Sequence, residues 1–170
     1  HGLALDSSQR PVVTGYTRSA NFPTTVGAYD RTQAGSYDVF VAKLDAAGSV
    51  LLWATFVGGS LEDRPFALAI DAADNLVVAG HTYSSDFPTT TNAYDRSLNG
   101  PRDAFVAKLG ASGSVLQWST YLGGASEERA WSLALDSAGR PVVAGETRSA
   151  DYPTTAAAFD TTLGGARDGF

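Results

Sequence analysis

The sequence predicts an all-β chain made of tandem four-stranded antiparallel sheets. Three observations carry that expectation. First, residues 103–124, DAFVAKLGASGSVLQWSTYLGG, read as two apolar strands around a short turn at Ser112-Gly113. The same hairpin stands earlier at residues 38–59, DVFVAKLDAAGSVLLWATFVGG, and opens a third time at Asp168-Gly169-Phe170. Second, the spacing is constant. Gly15, Gly80 and Gly145 are 65 residues apart, as are Pro23, Pro88 and Pro153, and Asp6, Asp71 and Asp136, with no insertion or deletion. Self-similarity at a fixed period marks an architecture in which each unit buries its apolar face on the next. Third, the chain carries 18 Gly among many Thr, Ser and Val, with turn signals at regular intervals, which favours strands over helices.

The middle unit serves as reference for the elements. Residues 66–71, FALAID, alternate and read as a first strand. Ala72-Ala73-Asp74-Asn75 is a turn, matched by Ser7-Ser8-Gln9-Arg10 and Ser137-Ala138-Gly139-Arg140. Asp74 and Gly139 fall where a type I turn with a bulge needs a left-handed residue, and Gln9 is less comfortable there. Residues 76–82, LVVAGHT, form the second strand; Pro11 and Pro141 open its counterparts, a strand position that proline tolerates. Residues 83–102 are a long polar connection, either functional or packed on itself. Its recurring aromatics, Phe22/Phe87/Tyr152 and Tyr29/Tyr94/Phe159, predict internal packing. The 103–124 hairpin supplies the third and fourth strands, and residues 123–130 lead into the next unit.

Ala104-Phe105-Val106-Ala107 is apolar on both faces, whereas a sheet with one wet face alternates. Tandem sheets buried on both faces are what the blades of a β-propeller require, and first and second strands rich in Ala and Gly suit the crowding near its axis. The expected organisation is unit 1–65, unit 66–130 and a partial unit 131–170 cut after its second strand. That amounts to about 2.6 blades of a larger propeller. Phe40, Val41, Leu44, Trp53, Phe105, Val106, Leu109 and Trp118 are the expected core.

Composition bounds the function. The chain has 170 residues, enough for a sizeable core. Its mean hydropathy of −0.08 is that of a folded chain. A net charge of −6, with Lys43 and Lys108 as the only lysines, argues against nucleic-acid or anionic-membrane surfaces. With no cysteine there is no disulfide framework and no thiolate metal site. No apolar run approaches a membrane-spanning length. With no methionine anywhere, His1 is not expected to be a translation start, and the ragged phase of the period predicts a piece of a longer protein.

The ordered pattern LALD…VVAGxT…S-x-[DN]-[FY]-P-T-T…A-[YF]-D…D-x-F-V-A-K-L…G-S-V-L-x-W-x-T-[FY]-[VL]-G-G resembles the bacterial β-propeller repeat called SBBP. More distantly, it is similar to NHL-type blades. The resemblance covers the whole chain. It implies four-stranded blades in secreted or surface-anchored bacterial proteins, with no established catalytic residues and no settled ligand. A closed ring would need about seven such blades.

Each candidate for chemistry has a structural competitor. Asp38, Asp103 and Asp168 precede every third strand. They suit cation ligation, but better suit accepting backbone N–H bonds at the loop exit. Asp71, Asp74 and Asn75 offer calcium one turn's worth of oxygens, with too few carboxylates in the matching turns, so turn formation is favoured and no metal is expected. Glu62-Asp63-Arg64 and Glu127-Glu128-Arg129 read as a solvated linker with one contact between units. His1 and His81 do not share a position in the period, and no triad or zinc spacing exists. Trp53 and Trp118 lie inside apolar strands and read as core. Trp131, aligned with Phe66 and His1, is the aromatic position that varies and the better contact surface.

Three functions follow. The leading one is a non-enzymatic structural or adhesive module of an extracellular or cell-surface bacterial protein. Its partners would be neighbouring blades or chains of the same protein, or a cell-surface protein or glycan, with no cofactor, no nucleic acid and no membrane insertion. The second is a carbohydrate- or protein-binding module using the S-x-[DN]-[FY]-P-T-T loops. It would use Tyr83, Asp86, Asp151 and Trp131, with Asn21 standing in the first unit where the others carry the loop aspartate. The third is part of an enzyme whose catalytic groups lie elsewhere. The regularity of the units argues against it.

Overall fold

A computed structural model describes all 170 residues. The chain is all-β and contains no helix. It forms three antiparallel sheets. The first joins β1 (Gly2–Leu5), β2 (Pro11–Thr17), β3 (Asp38–Leu44) and β4 (Leu51–Val57) in that order. The second joins β5 (Asp63–Ile70), β6 (Leu76–Thr82), β7 (Asp103–Leu109) and β8 (Leu116–Leu122). The third joins β9 (Glu128–Leu135), β10 (Pro141–Thr147) and β11 (Asp168–Gly169). The sheets do not close on one another. Strand β5 packs against β1 and β2, and β9 packs against β5 and β6, so the three sheets are layered in chain order.

Two details depart from the sequence expectation. The first strands begin earlier, at Asp63 and Glu128, because the presumed linkers pair with the ends of β6 and β10. The third sheet does not stop after two strands, since Asp168–Gly169 pairs with Glu146 and Thr147 as a short third strand.

The turns form for local reasons. Asp6, Asp71 and Asp136 each accept the backbone N–H groups two and four residues on, which closes the first turn of every sheet. The residue this places at positive φ is Gln9 (59°), Asp74 (61°) or Gly139 (74°). Asparagine, aspartate and glycine take that conformation readily, and Gln9 does so against its preference.

The core follows the two-residue period of the strands. Leu76, Val78, Phe105, Ala107 and Leu109 face the first sheet and pack with Val12, Val39, Val41, Trp53 and Val57. Val77, Ala79, Ala104 and Val106 face the third sheet, with Ala130 and the partly buried Leu133 and Val143. The sheet in the middle is therefore covered on both faces. Trp53 is buried beneath the β7–β8 turn, where a Cβ on Gly113 would approach its ring to 2.4 Å. Trp118, the same position one unit on, is only partly buried, as are Phe40 and Leu44.

The long connections pack not on themselves, as expected, but onto the third strands of their own sheets, through one aromatic row. Phe22 lies 4.5 Å from Phe40, Phe87 4.5 Å from Phe105 and Tyr152 4.6 Å from Phe170. The second row does not follow: Tyr29 packs on the core, while Tyr94 and Phe159 are exposed. The connections also grip the fourth strands. Asp30 O and Asp95 O accept from Phe56 N and Tyr121 N, and Thr55 and Thr120 hydroxyls close the same contacts.

Candidate functional site

The recurring carboxylates prove to be structural. Asp38 accepts Ala34 N and Gly35 N, Asp103 accepts Asn99 N and Gly100 N, and Asp168 accepts Gly164 N, all at loop exits. The linker acids are not solvated as their sequence suggested. Asp63 and Glu128 are buried. Asp63 accepts Gly59 N and the Thr82 and Ser84 hydroxyls, and Glu128 accepts Gly124 N and the Thr147 and Ser149 hydroxyls.

These acids meet in pairs at the seams between sheets. A Cβ on Gly58 would sit 2.9 Å from atoms of both Asp38 and Asp63, and one on Gly123 would sit 2.5 Å from Asp103 and 2.6 Å from Glu128. Burial pushes Asp63 up to about 6 against its hydroxyl and amide partners, and the Asp38 charge adds to it. Burial likewise lifts Asp103 to about 6, with Glu128 opposite. Two carboxylates per seam, each committed to protein donors, leave no open ligand set, and no group of three potential metal ligands occurs.

A different surface gathers the positions at which the units differ. It is built on β-bulges. Phe66 and Trp131 are each skipped in the pairing register of their strand. A bulge re-aims one side chain without breaking the ladder. It also drives a backbone carbonyl toward the facing strand: a Cβ on Gly80 would lie 2.0 Å from Arg64 O, and one on Gly145 2.1 Å from Arg129 O. Gly80 and Gly145 are therefore required by the bulges that display Phe66 and Trp131, whereas Gly15 faces the Phe40 ring.

From this scaffold a row of rings and guanidiniums runs across all three sheets. Phe66 lies 4.6 Å from Trp131, 5.2 Å from His81 and 5.8 Å from His1. His1 continues to Tyr16 and Tyr37, and His81 to Tyr83. Arg64 sits over Tyr16 at 4.6 Å, Arg102 over Tyr83 at 5.4 Å and Arg129 over Trp131 at 5.5 Å. Such contacts hold a cation and a ring face in fixed relation.

Glutamates interleave with the arginines. Arg64 pairs with Glu62, Arg102 and Arg148 with Glu127, and Arg129 and Arg167 with Glu146. Arg102, almost fully buried, donates to both Tyr83 Oη (2.7 Å) and Glu127 Oε2 (2.8 Å) and so ties the second sheet to the third. His81 is buried beneath the row with Nδ1 unpartnered. Burial, then the charges of Arg102, Arg129 and Arg64, lower its imidazole to about 3, so it is neutral at physiological pH.

The four sequence candidates divide accordingly. Tyr83 and Trp131 belong to this row. Asp86 and Asp151 do not: Asp86 accepts Ser60 N and the Ser60 hydroxyl, and Asp151 accepts Ala125 N, so both fasten their loops to the seam. Asn21 is exposed. Sequence reasoning missed Phe66, His81, Arg102 and Arg129 as one surface. The available signal was the set of positions that break the period, His1/Phe66/Trp131, Tyr16/His81/Glu146 and Tyr37/Arg102/Arg167; Arg129 gives none, since it recurs as Arg64.

No protein-family model matches the chain, and a search of curated proteins finds no match either.

Proposed function

We propose that the chain is a non-enzymatic structural and adhesive module of an extracellular bacterial protein, built from SBBP-like β-propeller blades. Its contact surface would be the ring–guanidinium row. One observation carries the reading. The recurring carboxylates of the turns and loop exits are consumed in internal hydrogen bonds and ion pairs, while the aromatic positions that differ between units collect, together with arginines, on one surface. That division suits a scaffold with a replaceable contact face. An active site would instead leave an uncommitted nucleophile or acid–base pair. The S-x-[DN]-[FY]-P-T-T loops are a poorer binding surface, because Asp86, Asp151 and Phe87 are already engaged within the fold.

The test is adhesion. Surfaces coated with the chain should retain bacterial cell-envelope material, and Trp131→Ala should abolish retention at an unchanged melting temperature, since that ring is 44% exposed. A parent protein that retains nothing, or a variant that retains as much as the parent, would sink the reading.

A further inference from the structure

The row has a composition that narrows its ligand. It alternates rings with guanidiniums along its length, Arg64 with Tyr16, Arg102 with Tyr83 and Arg129 with Trp131, although these pairs do not stand at matching positions of the period. An alternation extended across three sheets suits a ligand that is itself extended, a linear polymer more than a compact one. Its five arginines face three glutamates, a local excess of positive charge on a chain of net charge −6. Complementarity therefore calls for an anionic partner. The excess is small, however, which suits a polymer of low charge density and not a phosphodiester backbone.

The glutamates add a second requirement. Glu127 and Glu146 are partly accessible carboxylates placed between guanidiniums, and beyond their ion pairs each has acceptor capacity left for a ligand's hydroxyl or amide donor. Saccharide hydroxyls supply such donors and a DNA backbone does not. Arg148 and Arg167, with 41% and 60% of their side chains exposed and one ion pair each, keep free N–H groups for carboxylates. Trp131 offers the apolar face on which a sugar ring stacks.

We infer that the row binds an acidic, uronate-bearing polysaccharide, with sugar rings on Trp131 and Phe66 and uronate carboxylates on Arg148 and Arg167. This rests on the reading of the row as the contact surface.

Binding is measured by calorimetry with oligogalacturonate and hyaluronan oligosaccharides against the intact chain. Neutral cello-oligosaccharides, poly-glutamate and a single-stranded dT oligomer serve as competing classes. The expected result is binding of the uronate oligomers alone, weakened about tenfold by Trp131→Ala and by Arg148→Ala with Arg167→Ala. Rising salt should weaken it further. Phe159→Ala, which removes a fully exposed ring outside the row, should leave binding unchanged. Equal or better binding of the neutral sugar, of poly-glutamate or of dT would overturn the inference, as would no binding of uronates. If uronates fail while Trp131→Ala still abolishes envelope retention, the ligand class is wrong and the contact surface stands. If both fail, the surface is wrong as well.

Discussion

The two ends of each sheet treat a buried acid in opposite ways. At the turn end, Asp6 meets Lys43 at 2.5 Å and Asp71 meets Lys108 at 2.7 Å. Burial disfavours the charge of Asp71, but Lys108 and Asn75 outweigh it and hold the carboxyl down at about 2. At the seam end, Asp63 and Asp103 are more deeply enclosed and have no cation; burial lifts each to about 6, and a neighbouring acid adds to it. Burial raises both kinds of carboxylate, and only where a cation answers it does the charge stay. The only two lysines of the chain are both spent at the turn end, and the seams have none.

The largest test of this contrast is pH. Asp63 and Asp103 have folded pKa values of about 6, above the unfolded value of 3.8, so the stability they contribute is full below about 4 and is lost as pH rises from there through 6. Together that amounts to on the order of 5 kcal/mol. Asp71 works the other way: its contribution is present above about 4 and lost as pH falls through 2. Denaturant unfolding should therefore show maximal stability near pH 4, with a decline that runs from about pH 4 to 6 and levels off toward pH 8. A maximum at pH 8 would mean the seam acids are not buried against each other.

Removing a cation should break the turn end next. Lys43→Ala leaves Asp6 enclosed with Arg10 alone and should cost about 3 kcal/mol, whereas Lys108→Ala, in a wetter pair, should cost less than half of that. Equal losses in urea melts would erase the distinction between the two sheets.

At the seam, Gly123→Ala drives a methyl between Asp103 and Glu128 and should destabilise by about 2 kcal/mol. Gly58→Ala, with 2.9 Å contacts, should cost about half as much. Thermal melts that rank them the other way would place the tighter acid pair in the first seam.

The smallest effect belongs to Asp74, which accepts Ser7 N and the Ser7 hydroxyl across the first two sheets. Asp74→Gly gives that turn the residue already present at Gly139. It loses the link but relieves the positive φ, so the melting temperature should move by no more than about 2 °C.

Much of the architecture was legible because the period is strict. Strand order, both turn types and the roles of Asp38 and Asp103 follow from residues that recur at one spacing. Burial was less legible, because it depends on neighbours. Strand β6 is buried throughout, β2 about half and β10 only at Thr147, although all three carry nearly the same sequence. The first-strand boundaries were misplaced because Glu62-Asp63-Arg64 looks like a charged linker. Its pairing partners, Thr82 and His81, lie across a turn that sequence spacing does not connect to it. The row was missed for a related reason: Phe66 and His81 meet only through a bulge between β5 and β6, and only the layering of the sheets brings Trp131 to them.

The bulges at Phe66 and Trp131 separate display from folding. The backbone hydrogen bonds and the facing glycine are indifferent to which side chain the skipped position carries, and phenylalanine and tryptophan both occupy it. A gene that copies this unit can therefore change its contact surface one codon at a time without re-solving the sheet. Selection for a new partner and selection for a stable fold act on different residues, which lets a tandem array diversify while its units stay in phase.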